Sequence, residues 1–297
     1  MNKGDQKLPF SINYNSKKEL KILLDELGIG MRKKFGQNFL INPSSRKNLI
    51  DALELTGNEI VFEVGPGLGA MTLMLLEKAL SVTAFEIDPA FCKLLLDIFS
   101  QYKNFILVQG DVLKTWKQNI DTNHTKDIFL FSNLPYNIGS ILLADFIENG
   151  FFFKRIVVTV QKEVAERMAA KPNSKLYSSF SVLCSSVYKV TLLNKMDSSS
   201  FYPEPNVSSQ AVRMDLLQQR ESYNSHFYSL VRALFNQRRK TIKNSLSAHL
   251  TGFPKVLNAK DVLAMAKING ERRPETLEVI EFTKIASAIE QISREQN

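Results

Sequence analysis

Short apolar runs alternate with segments of helical periodicity through the middle of the chain. Five such runs, rich in β-branched and aromatic residues, lie at 59–64, 81–87, 105–110, 127–132 and 155–161. The segments between them have the apolar spacing of helices. Because strands that are separated by helices form parallel βαβ units, the pattern predicts an α/β fold with a doubly wound sheet.

The pattern of apolar and polar residues changes after this region. Residues 178–196 predict a helix that runs into a strand, and residues 208–217 predict a further strand in a late antiparallel pair. Beyond about residue 218 the strand signal disappears and helical spacing continues. We therefore predict an N-terminal extension at 1–30, a larger α/β domain at 31–217 and a small all-helical domain at 218–297.

Composition narrows the choice of partners and compartment. The formal net charge of +8 predicts attraction to a polyanion, which leaves nucleic acid, an anionic membrane and simple solubility open. The two cysteines, Cys92 and Cys184, lie among apolar residues and are predicted to be buried, reduced thiols.

The three histidines do not have the spacing of metal ligands, so no bound metal is expected. Without an apolar leader or spanning segment, the chain is predicted to be cytoplasmic.

A glycine loop follows the first predicted strand, in the segment EVGPGLG (63–69). Gly65, Gly67 and Gly69 permit a tight turn and the close approach of a ligand to bare backbone. The spacing differs from the G-x-G-x-x-G of nicotinamide dinucleotide sites, and Glu63 stands at the strand end. A carboxylate here disfavours a pyrophosphate and favours a ligand with a cationic end. S-adenosylmethionine (SAM) has an ammonium, a sulfonium and no phosphate.

Two more carboxylates end the next two predicted strands. Glu86 can accept hydrogen bonds from both ribose hydroxyls, and Asp111 can accept from an adenine amino group. The carboxyl ends of parallel strands line the ligand crevice of an open α/β sheet, so these acids strengthen the prediction of a SAM site. Asp88, which precedes Pro89, is expected to cap a helix instead.

The fourth strand ends at the same edge, in the segment Asn133-Leu134-Pro135-Tyr136. The Asn133 side-chain oxygen and a carbonyl of Leu134 or Pro135 can hold both hydrogens of an exocyclic amine, tilting its lone pair towards a methyl donor. Tyr136 can stack on a base that has left its helix. The same residue types also favour a β-turn, so the segment alone does not indicate a catalytic motif. Together with the glycine loop and the three strand-end acids, however, it predicts methylation of an exocyclic amine such as adenine N6.

Several segments together resemble a known family. FGQNFL, EVGPGLGAMT, EID, GDVL and NLPYNI, in this order and spacing, resemble the ribosomal RNA adenine N6-dimethyltransferases. Further segments resemble the KsgA (RsmA) branch, which modifies small-subunit rRNA: VQKEVAERMAAKP, FYPEPNVSSQAV, FNQRRKTIKNSL and ERRPETL. The resemblance extends over residues 31–290.

The resemblance implies a Rossmann-like methyltransferase domain and a helical RNA-binding domain. It implies four methyl transfers from SAM to two adjacent adenosines near the 3′ end of 16S rRNA, within an assembling small ribosomal subunit. The implied partner is therefore 16S rRNA, and a monomer is the default. The implied catalytic motif is Asn133, Leu134, Pro135 and Tyr136, and the implied SAM site is Asn38, Leu40, Gly65, Glu86, Asp111 and Asn133.

Three positions depart from the family pattern. Gly139 stands where the family commonly has Ser, so a hydrogen bond behind the catalytic motif is expected to change. Asn173 and Ser178 stand where the family often has glycine, so the 171–179 loop is expected to have a different shape.

A basic segment follows in the helical region. It contains Arg232, Arg238, Arg239, Lys240 and Lys243 without an acid, and a second basic run lies at 32–34. Lysine and arginine supply affinity for phosphates that is blind to sequence. We predict that these residues contact RNA, and that removing the charges of Arg238 and Arg239 weakens that contact.

Other functions share parts of this pattern. An Erm-type enzyme acting on large-subunit rRNA has the same loop, acids and N-x-P-Y motif. FNQRRKT argues for the small-subunit branch, and it does so by resemblance. A second alternative is a ribosome-assembly or transcription factor that keeps the fold but has lost activity. The intact acids Glu63, Glu86 and Asp111 and the intact segment 133–136 argue against it. Methylation of DNA adenine or of a protein glutamine amide is disfavoured by Leu134 and by the helical C-terminal region.

Overall fold

The computed structural model describes residues 12–28, 38–119, 127–134, 138–218, 223–224, 226–253 and 257–295. The α-helices are α1 (Lys17–Glu26), α2 (Pro43–Asp51), α3 (Ala70–Lys78), α4 (Pro89–Phe99), α5 (Val112–Thr115), α6 (Gly139–Glu148), α7 (Lys162–Met168), α8 (Ser179–Val187), α9 (Phe227–Asn236), α10 (Ile242–Leu250), α11 (Ala259–Ala266) and α12 (Val279–Glu295). The strands are β1 (Phe39–Leu40), β2 (Ile60–Val64), β3 (Ser81–Glu86), β4 (Phe105–Gln109), β5 (Ile128–Asn133), β6 (Arg155–Gln161), β7 (Tyr188–Met196), β8 (Phe201–Tyr202) and β9 (Ser209–Leu216). Pro135, Tyr136 and the basic run at 32–34 lie outside the described residues.

Seven of the described strands form one mixed sheet. Their order is β4-β3-β2-β5-β6-β9-β7. Strands β2 to β6 pair in parallel, and β9 pairs antiparallel with β6. The predicted doubly wound sheet is confirmed, and the strand predicted at 208–217 is present as β9, which runs antiparallel to β6 and lies beside β7. Every residue of β2 is buried, which explains why its sequence reads as an unbroken apolar run.

The topology determines where a ligand can bind. Strand β2 has β3 on one side and β5 on the other, so the chain reverses its direction of winding between β2 and β5. In open α/β sheets the ligand crevice lies at the carboxyl ends of the strands beside such a switch point. The glycine loop follows β2, and Asn133 ends β5, so both lie at this crevice.

The described residues divide into two compact units. One is drawn from residues 1–145, 153–165 and 191–215, and the other from 146–152, 166–190 and 216–297. The second unit thus includes residues on both sides of position 217, where the sequence interpretation placed the boundary. Its core consists of apolar side chains from α8 to α12, including Val182, Leu230, Leu246, Leu263 and Phe282.

Helix α1 belongs to the first unit. Leu20 and Leu24 are buried in the same apolar cluster as Val61, Leu75 and Phe131. The N-terminal region predicted as an extension therefore contributes, through its described residues 12–28, to the core of the α/β unit. Burial of these leucines supplies the free energy that holds the helix in place.

The structure describes both cysteines and the lengths of the helices. Cys92 and Cys184 are free and buried, as predicted from their apolar neighbours. Within the described part of the chain, each helix is too short or too polar to cross a membrane.

Of the two residues in the 171–179 loop that stand where the family often has glycine, one adopts a backbone conformation typical of glycine. Asn173 has φ = +67°, in the left-handed region that glycine adopts freely and asparagine adopts more readily than most residues. Its backbone N–H donates to the carbonyl oxygen of Glu275 at 2.8 Å, which holds this conformation. Ser178 has φ = −148°, an extended conformation that does not require glycine, and it begins a capping box with Ser181 at the start of α8.

We expect Asn173→Ala to lower the free energy of unfolding by about 1 kcal/mol, because alanine pays the full cost of the left-handed conformation. Asn173→Gly is the matched control and should leave the stability within about 0.5 kcal/mol of the parent. Urea unfolding of the three proteins measures both values. Equal stability of the alanine and glycine variants would contradict the assigned backbone conformation.

Candidate functional site

A cavity of about 290 Å³ opens at the carboxyl edge of the sheet in the first unit. Its lining comes from β1 and from the ends of β2, β3, β4 and β5. All the residues predicted for the SAM site lie in this lining: Asn38, Leu40, Gly65, Glu86, Asp111 and Asn133. Residues that are up to 95 positions apart are thus brought to one cavity by the parallel sheet.

The glycine loop is packed too closely for side chains at two positions. Gly67 and Gly69 have φ values of +56° and +83°. A Cβ atom at Gly69 would lie 2.5 Å from a ring carbon of Phe99, and one at Gly67 would lie 2.8 Å from Phe39. The loop therefore needs glycine both for its backbone conformation and for its approach to the rings beneath it.

Glu86 fixes the loop from the end of β3. Its Oε2 accepts a hydrogen bond from the Gly67 backbone at 3.2 Å, and its Oε1 accepts from the Asp88 backbone at 2.9 Å. Burial raises the pKa of the Glu86 carboxyl above its ordinary value. Each carboxylate oxygen can accept more than one hydrogen bond, so the group retains acceptor capacity for a ribose hydroxyl.

Among the acids that line the cavity, Glu63 is the most deeply buried, with 2% of its surface exposed. The Thr72 hydroxyl donates to its Oε2 at 2.7 Å. Burial, with a smaller contribution from the charge of Glu86, raises the pKa of Glu63 to about 8. The carboxyl is therefore mostly protonated at neutral pH until a cation approaches, whereas the sequence interpretation treated it as a carboxylate.

This pKa predicts that the binding of a cationic ligand depends on pH. Below about pH 8 the ligand must displace a proton from Glu63, so affinity should rise with pH by up to about tenfold per unit and level off above it. Titration calorimetry with SAM at several pH values, in buffers of different ionisation enthalpy, measures both affinity and proton release. In Glu63→Gln the dependence should disappear. Binding to the parent protein that is independent of pH and releases no proton would contradict this role.

The two remaining acids both cap helices. Asp88 Oδ1 accepts from the Ala90 backbone at 3.0 Å and begins α4, as predicted. Asp111 Oδ1 accepts from the Leu113 backbone at 3.1 Å and begins α5. Asp111 also lies in the cavity lining, and the cap leaves its Oδ2 as an acceptor for a ligand amine. Its placement is compatible with the predicted contact to adenine.

Asn133 is held in a defined orientation. Its Nδ2 donates to the backbone carbonyl of Asn38 at 2.7 Å, so Oδ1 is the side-chain atom that remains to accept from a substrate. The flanking backbone is anchored too: the Leu134 N–H donates to the Thr159 carbonyl at 3.2 Å, and the buried Ser132 hydroxyl donates to the Val64 carbonyl at 2.5 Å. These contacts preorganise the first half of the predicted catalytic motif.

Gly139 begins α6 behind this motif. A Cβ atom there would lie 3.4 Å from Leu134 Cδ1 and 3.6 Å from Val160 Cγ1, which are ordinary van der Waals distances. The packing at this position therefore leaves room for a Cβ atom.

Sequence reasoning missed the contribution of the N-terminal segment to the lining. Tyr14 and Leu20 come from the N-terminal segment and lie in the wall of the cavity. No local motif distinguishes them, because Leu20 is one of several apolar residues on α1 and Tyr14 stands alone in a polar stretch. Only their three-dimensional packing identifies them.

The basic segment of the second unit is only partly available to a ligand. The Arg238 guanidinium donates to the backbone carbonyls of Lys175 at 2.9 Å and Ser174 at 3.2 Å, and Arg232 pairs with Glu148. Arg239, Lys240 and Lys243 lie in the same segment, and all three are exposed. Arg238 thus has a structural role that its position in a basic run did not predict.

Comparison with known proteins identifies the family. The chain matches the family model of ribosomal RNA adenine dimethylases over residues 29–284. The chain belongs to the ribosomal RNA adenine dimethylase family. The family depends on SAM, so the predicted enzyme class, cofactor and resemblance are confirmed.

Individual relatives agree with this assignment. The chain is 44% identical over 283 residues to the ribosomal RNA small subunit methyltransferase A of Treponema denticola, with 93% of this chain and 96% of that protein covered. It resembles the crystal structure of a dimethyladenosine transferase from Plasmodium falciparum, with a TM-score of 0.70, 27% identity and coverage of 85% and 97%. The 23S rRNA methyltransferase ErmE shares the fold, with a TM-score of 0.61, 21% identity and coverage of 85% and 99%.

The cavity fits the cofactor of this family. It combines a glycine loop that a Cβ would obstruct, a buried acid that can lose a proton to a cation, and two further acids at adjacent strand ends. Among the described residues no group of three or more His, Cys, Asp or Glu is placed to hold a metal.

Proposed function

We propose that this protein transfers methyl groups from SAM to the N6 amines of two adjacent adenosines near the 3′ end of 16S rRNA. The substrate is the small ribosomal subunit during its assembly, and the enzyme acts as a monomer in the cytoplasm. The relative from Treponema denticola is named for its action on the RNA of the small ribosomal subunit, and its similarity covers nearly all of both chains.

The position and orientation of Asn133 are the main support for methylation of an amine. Asn133 lies in the same cavity as Glu86 and Asp111, and its amide nitrogen is already bonded to Asn38. Its oxygen can therefore accept a hydrogen of an incoming amine without reorientation. A methyltransferase for an exocyclic amine needs such an acceptor beside the cofactor, because positioning supplies much of its rate.

Each residue of the site has a separate role in this reaction. Bound SAM supplies an electrophilic methyl group whose leaving group is a neutral thioether. Glu86 and Asp111 hold the ribose and adenine of the cofactor, and Glu63 accepts its ammonium. Asn133 Oδ1 and a carbonyl of Leu134 or Pro135 hold the two amine hydrogens, and Tyr136 stacks on the base. The methylated amine is acidic and gives its proton to water, so no strong general base is required.

RNA affinity is expected to depend on exposed charges of the second unit. Replacing both Lys240 and Lys243 by alanine should weaken small-subunit binding and reduce its salt dependence by about one unit of slope for each phosphate that the variant no longer neutralises. The matched control replaces Lys260 and Lys284, which are exposed on α11 and α12. Arg238 is left intact because it holds the 174–175 backbone. A salt slope equal to that of the parent would rule out phosphate contact by this pair.

The choice of substrate is tested by transfer of labelled methyl groups. Purified protein and methyl-labelled SAM are incubated with unmodified small subunits, with large subunits and with naked 16S rRNA. Label in the small-subunit sample alone supports the proposal. Label in large subunits would support the Erm-type reaction, and tight SAM binding without label in any sample would support an inactive assembly factor.

A further inference from the structure

The described N-terminal segment, residues 12–28, forms part of the wall of the cofactor cavity. Tyr14 and Leu20 lie in the lining beside the glycine loop. Leu20 is 1% exposed, and Ile12 and Leu23 pack against the same core. The segment is thus built into the folded unit at the place where the cofactor is proposed to bind.

Tyr14 contacts the glycine loop directly. Its hydroxyl donates a hydrogen bond of 3.1 Å to the carbonyl oxygen of Leu68, which lies between Gly67 and Gly69. Burial, and to a smaller extent the nearby Glu63 carboxyl, raise the pKa of Tyr14 well above its ordinary value. The hydroxyl therefore remains a donor throughout the physiological pH range.

The buried Arg46 side chain joins this segment to a second part of the cavity wall. Arg46 is 7% exposed, and its Nη1 donates to the Tyr14 carbonyl at 3.2 Å and to the Leu40 carbonyl at 2.8 Å. Its Nη2 donates to Oδ1 of Asn15. Because Phe39 and Leu40 also line the cavity, the guanidinium holds two parts of its wall together.

We propose that Tyr14 is a positioning residue for SAM binding and that Arg46 locks residues 12–28 onto the site. The inference rests on the proposed function, since it takes SAM as the ligand. The glycine loop has no side chains at its glycine positions with which to fix its own place, so hydrogen bonds from neighbouring residues must hold its backbone in position for the ligand. The Tyr14 hydroxyl and the bonds of Glu86 to Gly67 set that position from two sides.

The test compares Tyr14→Phe, Tyr14→Ala and Arg46→Lys with the parent protein. Tyr102→Phe is the matched control, because Tyr102 packs against the same core and is not part of the cavity lining. Titration calorimetry gives the Kd for SAM, thermal unfolding without ligand gives stability, and transfer at saturating SAM gives kcat. The phenylalanine variant retains the ring, so its folding is preserved.

In Tyr14→Phe we expect the Kd for SAM to rise about fivefold with kcat at saturating SAM unchanged, because binding must then restore the loop position that the hydroxyl holds in the free protein. Its unfolding midpoint should fall only slightly below that of Tyr102→Phe, because the Leu68 carbonyl loses one donor. Tyr14→Ala and Arg46→Lys should raise the Kd further. An unchanged Kd in Tyr14→Phe, while the parent binds SAM, would overturn this inference alone. Failure of the parent to bind SAM would overturn the proposed function and this inference with it.

Discussion

Replacing Asn133 by alanine is expected to lower the rate of methyl transfer by at least about a thousandfold. The variant loses the Oδ1 acceptor for the amine and also the bond of Nδ2 to the Asn38 carbonyl that orients it. Removal of one preorganised polar group from a reacting centre commonly costs about a hundred- to a thousandfold, and misplacement of the amine adds to this. Single-turnover transfer to small subunits measures the effect.

The same variant should bind SAM nearly as well as the parent. The acids that hold the cofactor come from other strands, and their bonds to Gly67 and Leu113 do not involve Asn133. Asn48→Ala, an exposed position on α2, is the matched control and should retain full activity. Retained turnover in Asn133→Ala would refute the positioning mechanism, and a loss of SAM binding equal to the loss of rate would assign the residue to the cofactor alone.

Replacing Glu86 by alanine should raise the Kd for SAM by about a hundredfold. Hydrogen bonds to a charged acceptor are worth about 1.5–3 kcal/mol each, and the variant loses those to the ribose together with the bond that holds Gly67. Glu86→Gln keeps one oxygen acceptor and should show an intermediate loss. Calorimetric titration with SAM measures both values.

Two controls separate this effect from a general loss of structure. Glu77→Ala removes an exposed acid from α3 and should leave the Kd unchanged. Thermal unfolding of Glu86→Ala without ligand should still show a cooperative transition, because the variant removes an acid whose charged form is disfavoured by burial. SAM binding by Glu86→Ala with the affinity of the parent would remove this residue from the cofactor site.

The strands and the acids at their ends were predictable because local chemistry dictates them. Apolar runs that are buried on both faces identify β2 and its neighbours, and a parallel sheet then brings the residues after each strand to one edge. Glu86, Asp111 and Asn133 reach the cavity for this reason. Asp88 was correctly separated from them because an acid before a proline is a helix cap.

Other features were not predicted, because they depend on contacts between residues that are far apart in the sequence. Tyr14 reaches Leu68, 54 positions later, through tertiary packing that no local pattern encodes. Arg238 stands in a basic run but donates to the 174–175 backbone, so its charge alone did not reveal its role. The raised pKa of Glu63 follows from its burial beneath the loop, which the sequence interpretation did not include.

The identity of the methylated nucleoside tests the central claim most directly. Unmodified small subunits are incubated with the protein and methyl-labelled SAM, the RNA is digested, and the labelled nucleosides are separated and quantified. The account predicts that the label is recovered as N6,N6-dimethyladenosine, with two such nucleosides in each particle. Label on another base or on the ribose, or its absence from all nucleosides, would contradict an Asn133-centred site for the adenine amine.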